Sequence, residues 1–119
     1  MDRRMKLKAL RKLKKGRGNV GLEDIPEPTP GPNDVKVKIH YAGICGTDLH
    51  IQLDEYHYSP PVTLGHEFSA VIVETGKNVK NFKLGDRVVA ETNAEVCGNC
   101  ELCRAGRFCS CPQRKQFGA

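Results

Sequence analysis

Two groups of residues in this chain have types and spacing suited to chemistry. The first is Cys97-Gly98-Asn99-Cys100-Glu101-Leu102-Cys103, closed by Cys111 after a short loop carrying Gly106. Cysteines three residues apart let thiolates from tight turns converge on one centre. Four soft sulfur ligands with no open position describe a tetrahedral structural zinc site, which holds a loop together and performs no reaction. The second group is Cys45, inside Gly43-Ile44-Cys45-Gly46-Thr47-Asp48-Leu49-His50, with Gly65-His66-Glu67 downstream. The residues alone leave two accounts of it. Cys45 and His66 are a buried thiol and a satisfied imidazole, or a thiolate, an imidazole and the Glu67 carboxylate form an open zinc site whose vacant position takes water or substrate.

These groups need elements to carry them. Asp34 to Tyr41 alternates, with Val35, Val37, Ile39 and Tyr41 on one face and Lys36, Lys38 and His40 on the other, which predicts a half-buried strand leading into the Cys45 turn. Thr47 is a candidate cap for a short helix from Asp48 to Leu53. Glu67 to Thr75 is rich in β-branched residues and predicts a strand ending at Gly76. Arg87 to Ala90 predicts another after the Gly85-Asp86 turn. Upstream, Met5 to Leu13 fits strand and helix spacing equally. Lys14 to Asn19 reads as a turn, Val20 to Ile25 as a strand, and Pro26, Pro28, Pro30 and Pro32 exclude regular structure for a stretch. Tyr56 to Pro61 reads as loop. Short strands and abundant turns, with 12 Gly and 7 Pro in 119 residues, predict a small β-barrel or sandwich.

Composition narrows the function. The longest aliphatic run, Ala70 to Val73, is far too short to span a membrane. No apolar segment follows the basic N-terminal residues as in a secretory signal, so a cytoplasmic location is expected. Six cysteines without a signal, four of them at ligand spacing, favour metal over disulfides. The net charge of +5 is uneven. Residues 1–17 carry nine basic residues against the single Asp2, a balance of +8, and the remainder carries −3. Aliphatic residues alternate with these charges and no aromatic residue stands among them to stack on bases. The segment is therefore read as a solvated strand pair rather than a nucleic-acid surface, and Arg104 and Arg107 against Glu101 form only a thin basic patch.

Three motifs in order, Gly43-Ile44-Cys45-Gly46-Thr47-Asp48, then Gly65-His66-Glu67 with Gly76 and Val79, then the cysteine lobe, resemble the zinc-dependent medium-chain alcohol dehydrogenase family. The likeness is greatest to the branch of threonine, sorbitol and butanediol dehydrogenases, and runs from Leu22-Glu23-Asp24-Ile25-Pro26 to the lobe. It implies a mainly β, GroES-like, partly open barrel with a zinc-binding loop lobe at 97–111, residues 1–119 forming the N-terminal part of the catalytic domain. It further implies Cys45 and His66 as ligands of a catalytic zinc, with Glu67 beside it. Thr47 would take the alcohol proton, His50 would pass it towards solvent, and Asp48 would orient the His66 ring. Cys97, Cys100, Cys103 and Cys111 would hold a structural zinc. The implied reaction is oxidation of a secondary alcohol, polyol or threonine, with NAD or NADP taking the hydride in a longer protein.

Several residues depart from the pattern. No Gly-rich dinucleotide fingerprint is present, since Gly16-Arg17-Gly18 lacks a third glycine and a following helix. A fragment or truncated gene product, inactive by itself and with its barrel incomplete, is therefore expected. Ala70 stands where the family usually has glycine, at an expected cost of about 1 kcal/mol or more if the backbone there needs a positive φ or has a close neighbour. Thr75 stands where an apolar residue is commoner. Cys109 could be an alternative ligand, a reactive thiol or a small filler, and the Cys103-to-Cys111 spacing favours a spectator. His57, between two tyrosines, reads as a surface histidine before a cleft residue. The alternative function is a non-enzymatic, zinc-stabilised interaction or assembly module, in which exposed barrel edges drive self-association or pairing with another chain.

Overall fold

The N-terminal segment forms a strand, resolving the ambiguity of its spacing. In the computed structural model, which describes residues 6–119, β1 (Lys6–Lys12) runs antiparallel to β2 (Val20–Pro26) in register from Lys6–Pro26 to Lys12–Val20. Met5 and the charges of Asp2, Arg3 and Arg4 lie outside the described residues. The basic side chains meet acids across the ladder. Lys8 Nζ lies 2.6 Å from Asp24 and Arg11 Nη1 lies 3.1 Å from Glu23. The 14–19 turn closes with the Leu13 N–H donating to Asn19 O at 2.8 Å.

Next come β3 (Val35–Ala42), α1 (Gly46–Leu53), β4 (Val62–Thr63), β5 (Phe68–Thr75), β6 (Arg87–Val89), β7 (Asn93–Glu95), α2 (Glu101–Arg104) and β8 (Lys115–Gln116). The described residues form three sheets, in the orders β2-β1-β4, β3-β5-β6 and β7-β8. Among the described residues the sheets do not join into a closed barrel. Their shared core is small, with Ala9, Ile51, Tyr58, Ala70 and Ile72 buried.

β3 departs from the predicted alternation. The β3–β5 register shifts between Lys36 and Val37 and again between Ile39 and Tyr41, leaving His40 without an opposite residue. Every residue from Lys38 to Ala42 is exposed, on both faces of the strand, Tyr41 at 79%. Ala70 carries no strain, because its φ is not positive. It pairs with Ile39 and Val88 inside the sheet, and its methyl belongs to the core. The expected cost of lacking glycine therefore does not arise. Thr75 fits at the end of β5 opposite Val35.

Candidate metal centres

In the lobe, the turn at Gly98-Asn99 and the single turn of α2 point Cys97, Cys100 and Cys103 inward. A 3-10 turn (Phe108–Ser110) returns the chain so that Cys111 completes the set. The four sulfurs all lie within 4.8 Å of one another and none is disulfide-bonded. A tetrahedron with Zn–S bonds of about 2.3 Å sets sulfur separations of about 3.8 Å. The observed 3.6 Å between Cys111 and Cys97 and 3.9 Å between Cys97 and Cys103 match that figure.

Backbone N–H groups donate to the sulfurs, from Cys100 to Cys97 and from Cys103 to Cys100, both at 3.4 Å, and from Cys97 to Cys111 at 3.5 Å. Donors from Asn99 and Cys100 bring the Cys97 thiol down to about 6. Burial pushes Cys103 up to about 12. One ligand is a ready thiolate, and the buried Cys103 surrenders its proton only to a cation. The donor set thus fits zinc. Cys109 stands exposed, outside the cluster, with Asn93 Nδ2 3.2 Å from its sulfur.

The second group draws on two separated segments, and the structure brings Cys45, His66 and Glu67 together with ligand atoms within 4.8 Å. Cys45 caps α1, which begins before the predicted Thr47 cap. The cause is Asp48, whose Oδ2 accepts the Cys45 N–H at 2.9 Å and fixes the first turn. Asp48 Oδ1 faces His66 Nδ1 at 3.7 Å and is one of two buried side-chain atoms without a hydrogen-bond partner among the described residues. One carboxylate therefore addresses both segments, gripping the Cys45 backbone and facing the His66 ring. A ring N–H turned to Oδ1 leaves Nε2 free as a ligand.

Two glycines permit the approach. Gly65 adopts φ +104 immediately before His66, a conformation costly for any side chain with a Cβ. The Gly43 N–H donates to Glu67 O at 2.8 Å, and a Cβ on Gly43 would stand 2.9 Å from Glu67 Oε2. Thiol, imidazole and carboxylate form a donor set that fits zinc with room for a further ligand.

Thr47 Oγ1 lies 3.7 Å from Cys45 Sγ. Thr47 and His66 line a cavity of about 130 Å³ with Tyr56, Thr92, Gln116 and Phe117. Phe117 is seated edge-on against Phe68, ring centres 6.0 Å apart. His50 is not in the cavity wall; it is exposed on α1 with Nδ1 2.9 Å from Glu55 Oε2. His57 is exposed as predicted, and it also lines an adjoining cleft with Tyr56, Ser59, Arg114 and Lys115. Sequence reasoning missed Tyr56, Thr92, Gln116 and Phe117. Their one available signal was the aromatic cluster Tyr56-His57-Tyr58; nothing in the spacing of Thr92, Gln116 or Phe117 points to the cavity.

Comparison with known proteins agrees with this arrangement. Residues 31–119 match the alcohol dehydrogenase GroES-like domain. The chain is 46% identical over 112 residues to sorbitol dehydrogenase of Halalkalibacterium halodurans, covering 94% of this chain and 33% of that protein. It is 45% identical over 116 residues to L-threonine 3-dehydrogenase of Xanthomonas campestris, covering 94% and 34%. The structure of a protein from Sinorhizobium meliloti 1021, described as a zinc-binding dehydrogenase and bound to NADP, superposes with a TM-score of 0.87 at 39% identity, over 96% of this chain and 32% of that one. The chain spans about a third of the length of the curated relatives it matches. With its unjoined sheets, cysteine lobe and paired metal-ligand clusters, it belongs to the alcohol dehydrogenase GroES-like domain family.

Proposed function

We propose that residues 1–119 form the metal-holding part of the catalytic domain of a zinc- and NAD(P)-dependent dehydrogenase that oxidises a secondary alcohol, polyol or threonine. The observation that carries this reading is the convergence of Cys45, His66 and Glu67, with His66 lining a cavity shared with Thr47. Cys45 and His66 would hold the catalytic zinc with Glu67 beside it, and Cys97, Cys100, Cys103 and Cys111 the structural one. Zinc, when bound there, supplies a Lewis acid that lowers the pKa of an alcohol oxygen. Asp48 keeps a proton on His66 Nδ1 and so presents Nε2 as the ligand atom. Thr47 Oγ1, beside Cys45 Sγ, is placed to accept the substrate hydroxyl proton. His50 stands one turn further along α1, on the same side as Thr47, and its Nδ1 contact with Glu55 leaves Nε2 to relay that proton to water. Tyr56 and Phe117 add aromatic rings to the lining of this small cavity. No residue of this chain is assigned to the nicotinamide.

The test is a dehydrogenase assay on the polypeptide carrying this segment, with sorbitol, threonine and butanediol against NAD and NADP. Thr47→Val is expected to lower kcat by about 100-fold or more with zinc content unchanged. Undiminished turnover in that variant would remove Thr47 from the proton path. The alternative, an interaction or assembly module, is favoured by one observation. Tyr41 and Val89, each more than 70% exposed, line one cleft on the β3-β5-β6 sheet, apolar surface suited to association with another copy or chain. A monomer in analytical ultracentrifugation at all concentrations, with dehydrogenase activity, would dismiss it.

A further inference from the structure

Lys12 is fully buried, with none of its surface exposed. Its ammonium is distributed over three backbone carbonyls, Gly16 O at 2.5 Å, Gly18 O at 2.7 Å and Gln52 O at 3.3 Å. It also lies 5.1 Å from the centre of the Tyr58 ring, while Lys15 Nζ lies 3.6 Å from the same centre and donates to Tyr58 O at 2.6 Å. The Tyr58 hydroxyl donates to Asp54, the left-handed residue that ends α1. A buried cation is costly unless its donors are satisfied, and here three carbonyls and an aromatic face serve that purpose. Two of those groups come from the 16–18 turn, and a third, Gln52 O, is a terminal carbonyl of α1, the negative end of the helix. The Gly18 N–H donates to the same Gln52 O at 2.7 Å.

The consequence lies at the opposite end of α1. The helix has eight residues, so a tilt of its C-terminus moves its N-terminus as one rigid piece. That N-terminus carries Cys45 as cap, then Thr47 and Asp48. Asp48 faces His66 across 3.7 Å, with no other partner for that oxygen. We propose that Lys12 is a positioning residue for the Cys45/His66 centre, clamping the C-terminal end of α1 so that Cys45 and Asp48 stand at working distance from His66. The inference rests on the metal assignment proposed above. The cysteine lobe makes no use of this clamp, since its four ligands all lie in residues 97–111, and it serves as an internal reference.

The experiment is a cobalt(II) titration of the metal-free 119-residue chain. The visible bands of a four-sulfur site and of a mixed sulfur–nitrogen–oxygen site are followed separately, and amide NMR signals of β3 and β5 report whether the sheet is intact. In Lys12→Met, the cobalt affinity of the mixed site is expected to fall about 10-fold or more and its band to shift, the size seen when the outer support of a metal ligand is lost. The lobe band and the sheet signals are expected to stay. Tyr58→Phe, which keeps the ring and loses the bond to Asp54, is expected to give a smaller loss of the same kind. An unaltered mixed-site band and affinity in both variants would overturn the inference alone. So would loss of the sheet signals in both, which would make Lys12 a residue of the fold at large. Absence of a second cobalt band in the wild-type chain would overturn the metal assignment itself, and this inference with it.

Discussion

The lobe and the Cys45/His66 centre solve the same problem in opposite ways. In the lobe, one contiguous segment supplies all four ligands, the donor set is closed, Cys103 and Cys111 are buried, and backbone N–H groups of the same segment tune the sulfurs. At the second centre, the N-cap of α1 supplies Cys45 and the entry to β5 supplies His66 and Glu67. Among the described residues three ligand atoms meet there, Glu67 is exposed, and a cavity adjoins. A locally encoded site tolerates distortion elsewhere in the fold. A site assembled across segments depends on everything that aims those segments, here Asp48, Gly43, Gly65 and the Lys12 clamp. Its open position makes it suited to chemistry, and its dispersed support makes it fragile.

Perturbations should separate the two accordingly. Cys103→Ser should have the largest effect: loss of the lobe metal and of order across 97–111, since metal binding in such sites supplies about 10 kcal/mol or more of local folding. The second centre should keep its metal, as measured by metal analysis and NMR. Asp48→Asn should do the converse, weakening metal at the second centre by about 10–100-fold with the lobe untouched, measured by competition with a chelator. Proton release on zinc uptake should differ with pH in a direction set by the lobe. Cys97, held at about 6, is a thiolate at pH 7 and protonated at pH 5. Uptake at pH 5 should thus release about one more proton from the lobe, and affinity should fall as pH drops through 6. Calorimetry in buffers of differing ionisation enthalpy measures this.

The smallest effect concerns the α1 anchor. Hydrogen bonding from Tyr58, then from the Gly16 backbone, holds Asp54 below its usual 3.8. A depressed carboxyl stabilises the fold above the unfolded value and ceases to do so as pH falls through the folded one. Wild type should therefore lose its margin over Asp54→Asn below pH 3.8, seen in acid unfolding followed by circular dichroism. A margin independent of pH would remove Asp54 from the anchor.

The same contrast decides what could be read from the sequence. The four lobe cysteines were legible because ligand spacing within one segment is itself geometry. β2, β3, β5 and β6 were legible from periodicity and turn residues, and Cys45 with Gly65-His66-Glu67 from motif order, whereas the spacing of β1 fitted strand and helix equally. What escaped was non-local. The register shift that leaves His40 without an opposite residue depends on pairing with β5. The helix start at Cys45 depends on the Asp48 side chain rather than on the conventional cap at Thr47. Tyr58, in a stretch read only as loop, is almost wholly buried because Lys12 and Lys15, more than forty positions earlier, supply its cationic partners.

The central claim is that two distinct metal centres coexist in this chain. Zinc content and X-ray absorption of the wild-type and Cys45→Ser chains at saturating zinc test it directly. The account predicts two zinc ions per chain in the wild type, and one in the variant with an all-sulfur first shell. Unchanged zinc content in Cys45→Ser would contradict it.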